Sequence, residues 1–131
     1  MLDGRWIIDA EGAAYHMTGI STIHNKPRIS VVAHALAQIN RFNGHASRPY
    51  SVAEHSLLCA DIAYEKGLPP HVQLACLMHD AHEAFTGDLS SPAKWTLGEP
   101  WELFEAPHAR RGARPRRGLR PCQARPAGLQ P

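Results

Sequence analysis

The chain has 131 residues, 44% of them apolar and 20% charged, which describes one small globular domain. It has no apolar run of about 18 residues, so no membrane span is expected, and its acid-bearing start MLDGRWIIDAEG does not read as a secretory leader. The net charge of +2 hides a division: all 12 acids lie within residues 1–105, whereas residues 106–131 carry seven Arg and no acid.

Residues 1–27 show no sustained period and read as loop and edge structure, with Trp6-Ile7-Ile8 as a short strand. Residues 28–42, RISVVAHALAQINRF, place Val31, Val32, Ala35, Leu36 and Ile39 at helical spacing. Ser30 is a candidate N-cap, and Asn43-Gly44 a stop. Residues 51–66 open on Ser51 and Glu54, the spacing of a capping box, and end at Gly67 before Pro69-Pro70. Val52, His55, Ser56, Cys59 and Ala63 share one face of that helix. Residues 70–85 continue the pattern with Val72, Ala75, Cys76, His79 and Glu83 on a face, until Thr86-Gly87-Asp88 breaks it. Ser91-Pro92 and Glu99-Pro100 each mark a further helix start. The body, residues 28–105, is expected to be all-α.

Residues 106–131 are dominated by Arg, Ala, Pro and Gly, and the expectation is a disordered basic tail. These residue types share GC-rich codons, which points to a shifted reading frame or a truncated and scrambled C-terminus; reading the nucleotide sequence in three frames tests that. Such a tail would bind polyanions without sequence preference, and it lacks aromatic residues to stack on bases, so no specific nucleic-acid partner is expected. Cys59, Cys76 and Cys122 form no CxxC pair. Cys59 and Cys76 read as buried thiols, and a cytoplasmic location fits them best.

The chemistry centres on His79-Asp80. Adjacent helical residues point about 100° apart and can converge on one ion lying between them. His55, on the inward face of the preceding helix, is a third ligand of the right kind. Two imidazoles and a carboxylate suit one divalent transition metal (Mn, Co, Fe or Zn), and Mg less well. Glu83, one turn after His79, can accept or return a proton beside such an ion. Asp88 follows a glycine and can turn back toward the site. The competing explanation is that a single inward His is ordinarily a hydrogen-bonded core residue. His34 is assigned to the core, His82 to solvent, and His16, His24, His45, His71 and His108 have no evident partner. HDAHE lacks the four-residue His spacing of a zincin, and there is no P-loop or G-x-S-x-G.

In their relative spacing, INRFNGH, SVAEHS and LMHDAHEAFTGDLSSPAK resemble the HD-domain phosphohydrolases, most nearly the bacterial 5′-deoxynucleotidases and their phage-borne relatives. The resemblance covers residues 28–95. It implies an HD-domain-like helical bundle with His55, His79 and Asp80 on one metal ion and Glu83 as the catalytic carboxylate. It further implies that Asp88 stands near the sugar or attacking water, Arg41 on the substrate phosphate and Phe42 beside it. The implied reaction is hydrolysis of a deoxynucleoside 5′-monophosphate. That family's last metal ligand is an Asp on a later helix, and no Asp follows Asp88 here. The chain is therefore expected to leave the family pattern near residues 107–111, with the bundle incomplete at its C-terminus. The faces of helices 51–66 and 70–85 would then stay exposed and favour a homodimer. An impaired protein that only binds metal or nucleotide is the alternative function.

Overall fold

The computed structural model describes residues 5–112. They are mainly helical, with one two-stranded hairpin. Strand β1 (Trp6–Ile8) pairs antiparallel with β2 (Ala14–His16), placing Ile7 opposite Tyr15. The expected strand is thus present, and it has a partner that the sequence pattern did not reveal. The side chain of Asp9 builds the turn: Oδ1 accepts the N–H groups of Glu11 and Ala13, both at 2.9 Å. Asn25 then locks β2 from outside. Its amide accepts from His16 N–H and donates to the His16 carbonyl, both at 2.8 Å, as a neighbouring strand would.

Helix α1 (Ile29–Gln38) buries Val31, Val32 and Leu36. It starts after Arg28, so Ser30 lies inside the first turn and is not the cap. It also ends earlier than the periodicity predicts. Residues 39–41 are drawn into an extended bridge with 50–52, where Arg41 N–H reaches the Tyr50 carbonyl at 2.8 Å and Val52 N–H the Ile39 carbonyl at 2.9 Å. The chain then turns through Phe42 and Asn43 at φ 57° and 51°, a left-handed conformation that is costly for a bulky residue such as Phe.

Helix α2 (Val52–Glu65) begins as expected. Ser51 accepts the Glu54 N–H at 3.1 Å. The Glu54 carboxylate pairs with Arg48 at 2.7 Å and does not complete the box. Replacing Ser51 with Ala is expected to cost about 1 kcal/mol, read as a lower urea midpoint at unchanged m-value. All five inward residues of α2 are buried. Helix α3 (Pro70–Met78) returns against α2, and Leu57, Leu58, Tyr64 and Leu74 stay exposed on the outer faces.

The helix expected over 70–85 is broken. Residues 79–82 form a tight turn before the short α4 (Glu83–Thr86). The cause is local: the His79 imidazole takes the Cys76 carbonyl at 2.6 Å, the acceptor that Asp80 N–H would use in a continuous helix. Bonds from Ala81 to Met78 and from Glu83 to Asp80 tighten the turn to 3-10 spacing. Val32, Leu36, Val52 and Ala81 form the centre of the core around this turn.

Helices α5 (Ser91–Leu97) and α6 (Glu99–Gly112) follow. The first seven residues read as tail are therefore helical, and residues 113–131 lie outside the described part. His108 accounts for the difference. Buried, it accepts from Tyr15 O–H at Nδ1 and donates to the Met17 carbonyl from Nε2, both at 3.0 Å, docking α6 on the hairpin. Tyr15 in turn stacks on Phe85 at 3.7 Å. His34, assigned to the core, is exposed and contacts Gln38. Cys59 is buried as expected, whereas Cys76 is only half-buried. Among the described residues, no helix is long and apolar enough to cross a membrane.

Candidate metal centre

The inward face of α2 supplies His55, and the turn after α3 supplies His79 and Asp80. One oxygen, Asp80 Oδ2, gathers them: it lies 3.4 Å from His55 Nε2 and 3.0 Å from His79 Nε2. The two rings meet edge to face, 5.2 Å between centroids. The Cys76 carbonyl that breaks the helix also fixes the His79 ring. A carbonyl only accepts, so Nδ1 carries a hydrogen and Nε2 is turned toward Asp80.

The charges follow from this packing. Burial opposes ionisation of Asp80, yet hydrogen bonds from His55 and His79 outweigh it and hold the carboxyl well below its ordinary value. Burial likewise opposes protonation of His79, but the Asp80 carboxylate wins and raises it. The ionised Asp80 thus favours a proton on the His79 imidazole beside it. A cation bound there competes with that proton for the imidazole, so acid weakens binding.

Cys59 also lies near: Sγ is 3.9 Å from Nδ1 and 3.6 Å from Nε2 of His55, and His55, Cys59 and His79 form a compact donor group. Near-equal distances to both ring nitrogens put the sulfur off the lone-pair axis of either. Asp80 Oδ2, in contact with both Nε2 atoms, is the better third donor. Two imidazole nitrogens and one carboxylate oxygen fit a divalent transition ion.

Arg41 reaches the same oxygen from the end of the bridge, just before the strained turn. Its Nη1 is 3.6 Å from Asp80 Oδ2 and 3.7 Å from Asp88 Oδ2, both beyond direct hydrogen bonding. Its Nε is buried, and among the described residues it has no partner. The guanidinium thus keeps unused donors beside the carboxylates, where an oxyanion fits. Phe42 is 43% exposed, with Arg41 5.4 Å above its ring, so it stands at the rim of the site. Burial raises Asp88 above its ordinary value against the pull of Arg41.

Glu83 is 2% exposed. Its Oε2 has no hydrogen-bond partner among the described residues, and Oε1 lies 3.7 Å from Lys94 Nζ. Burial, with Asp80 and Asp88 repelling a further negative charge, pushes this carboxyl up to about 8. It can hold a proton at neutral pH, as general acid–base work requires.

All the site residues read from the sequence stand in this one region, and the sequence reading missed three others. His82, assigned to solvent, is 8% exposed at its side chain and sits 3.1 Å from Glu105. Lys94 is 2.9 Å from the same Glu105 oxygen. Lys94 closes the motif GDLSSPAK, so a signal for it was present; Glu105 and His82 acquire meaning only once α6 docks. A cavity of about 360 Å³ opens on the other face of residues 78–85, beside Tyr15, Lys26, Val32, Met78, His82 and Phe85. None of His55, His79 and Asp80 lines it.

No protein-family model matches the chain. It is similar to YfdR of Escherichia coli K12, an uncharacterized protein, at 41% identity over 69 residues, covering 53% of this chain and 36% of YfdR. It is also similar to an uncharacterized protein of Rhodobacter capsulatus, at 38% identity over 93 residues, covering 64% of this chain and 47% of that protein. The chain therefore spans less than half the length of these curated relatives.

Proposed function

We propose that this chain carries the metal-dependent catalytic portion of an HD-domain phosphohydrolase that hydrolyses nucleoside 5′-monophosphates, deoxynucleotides among them. The observation that carries the reading is the convergence of His55, His79 and Arg41 on a single oxygen of Asp80. His55, His79 and Asp80 would hold the ion. When bound, a divalent cation supplies Lewis acidity, offsetting phosphoryl charge and favouring ionisation of water.

The remaining residues divide the work. Arg41 binds the phosphate oxygens through its unused donors and meets the charge that grows on them. Phe42 offers a ring at the rim for the nucleoside. Asp88 accepts a hydrogen bond from a sugar hydroxyl or from water. With a cation bound, the charges of Asp80 and Asp88 that hold Glu83 protonated would be offset, and the Glu83 carboxylate so released would take a proton from the attacking water as the new P–O bond forms. It returns that proton to the 5′ oxygen as the old bond breaks, releasing nucleoside and phosphate.

The direct test is phosphate release from deoxynucleoside 5′-monophosphates with Mn²⁺ or Co²⁺. The reading expects saturable release that a chelator abolishes. Metal binding with no release from any nucleotide would contradict it. That result would favour a second reading, a metal- or nucleotide-binding module without turnover.

A further inference from the structure

Glu83 uses its two oxygens differently. Oε1 faces the Lys94 ammonium at 3.7 Å, while Oε2 is buried with no hydrogen-bond partner among the described residues. A carboxyl that carries protons must present one oxygen in a fixed direction, and a short α4 of four residues is a weak support for that. Lys94 supplies a second hold, electrostatic because 3.7 Å is an ion-pair distance beyond direct hydrogen bonding. It is itself held, because Glu105 Oε1 lies 2.9 Å from Nζ and the Trp101 ring lies 5.8 Å away. Trp101 and Glu105 are one turn apart on α6, so one face of that helix cages the ammonium. His82 Nε2 contacts the same Glu105 oxygen at 3.1 Å.

We propose that Lys94 is a positioning residue for Glu83, and that Glu105 and Trp101 make α6 part of the catalytic apparatus. The ammonium attracts Oε1 of the ionised carboxylate and leaves Oε2 to exchange the proton with water and leaving group. The proposal rests on the reading of Glu83 as the proton carrier.

A lysine that merely fills space, or one that binds the substrate phosphate, would behave differently. An anchor for Glu83 acts on the chemical step and leaves substrate affinity alone. Lys94 also has no contact with His55, His79 or Asp80 among its ion pairs and hydrogen bonds, so metal binding should survive its replacement.

The test combines two measurements on Lys94→Met, Lys94→Arg and Glu105→Gln. The first is NMR of the Lys94 ammonium in the metal-free chain, which needs no activity. Slowly exchanging Nζ protons are expected in the wild type, lost in Glu105→Gln and shifted in Glu83→Gln. An ammonium signal that Glu83→Gln leaves unmoved would overturn the proposal. The second is steady-state kinetics on a deoxynucleoside monophosphate with Mn²⁺. Lys94→Met should lower kcat by about 10- to 100-fold, part of what a proton carrier contributes, with KM changed less than about threefold. Lys94→Arg should recover most of the loss. A raised KM at unchanged kcat would make Lys94 a phosphate ligand and overturn the proposal. A wild type that shows the ammonium shift but no turnover would sustain the anchoring contact while removing the phosphohydrolase reading.

Discussion

Glu83→Gln is expected to make the metal-free chain more resistant to alkali while stopping turnover. Glu83 has its carboxyl raised from an ordinary value to about 8 by burial and by the neighbouring Asp80 and Asp88. A group raised in the folded state contributes stability that is fully present below its unfolded value. That contribution is lost as pH rises through the folded value. The wild type should therefore lose on the order of 4 kcal/mol of stability between about pH 4.5 and 9 from this group alone. The glutamine variant has nothing to ionise, so its advantage over the wild type should grow with pH across that window. Urea melts at several pH values read this difference, and the slope against pH matters more than the absolute values. A variant whose stability runs parallel to the wild type from pH 5 to 9 would mean that Glu83 ionises normally. In turnover the sign reverses: an amide cannot exchange the proton, and kcat should fall by about 10²- to 10⁴-fold.

Three carboxyl groups in one small region thus differ in their hold on a proton, and their surroundings set the difference. Asp80 is held ionised by two imidazoles, Asp88 is raised by burial against the pull of Arg41, and Glu83 is kept protonated. Spacing alone brought these residues into one list. It did not separate them, because burial and partner identity come from elements far apart in sequence.

Legibility followed the same line elsewhere. Helix α2 was readable from end to end, because Ser51, the buried stripe from Val52 to Ala63, and Gly67 are all local signals. The end of α1 was not, since a bridge to residues 50–52 overrides its periodicity. The break at His79 was hidden because a side chain, not a Gly or Pro, takes the helical acceptor. His108 was read as tail from a composition of Arg, Pro, Ala and Gly. Its role depends on Tyr15 and Met17, more than 90 residues away in sequence.

Asp80→Asn carries the second large effect. The substitution is nearly isosteric, yet it removes the negative charge on which His55, His79 and Arg41 converge and turns one of the two oxygens into an NH2 group. Two imidazoles without the carboxylate leave an incomplete and more positively charged site. Changes in groups that only support a metal ligand cost about 10- to 100-fold in affinity, so loss of a ligand should cost at least that much. The metal-free variant should also be less stable than the wild type at neutral pH. Asp80 is depressed in the folded state, and such a group contributes stability above its unfolded value that is lost only as pH falls through the folded one.

The most direct measurement is a calorimetric titration of the metal-stripped chain with Mn²⁺ and Co²⁺ at neutral pH, beside Asp80→Asn and His79→Ala. The account predicts saturable binding near one equivalent in the wild type, weakening as pH falls, and no measurable binding in either variant. A wild type that takes up no ion, or variants that bind as tightly as the wild type, would contradict a metal centre built on His55, His79 and Asp80.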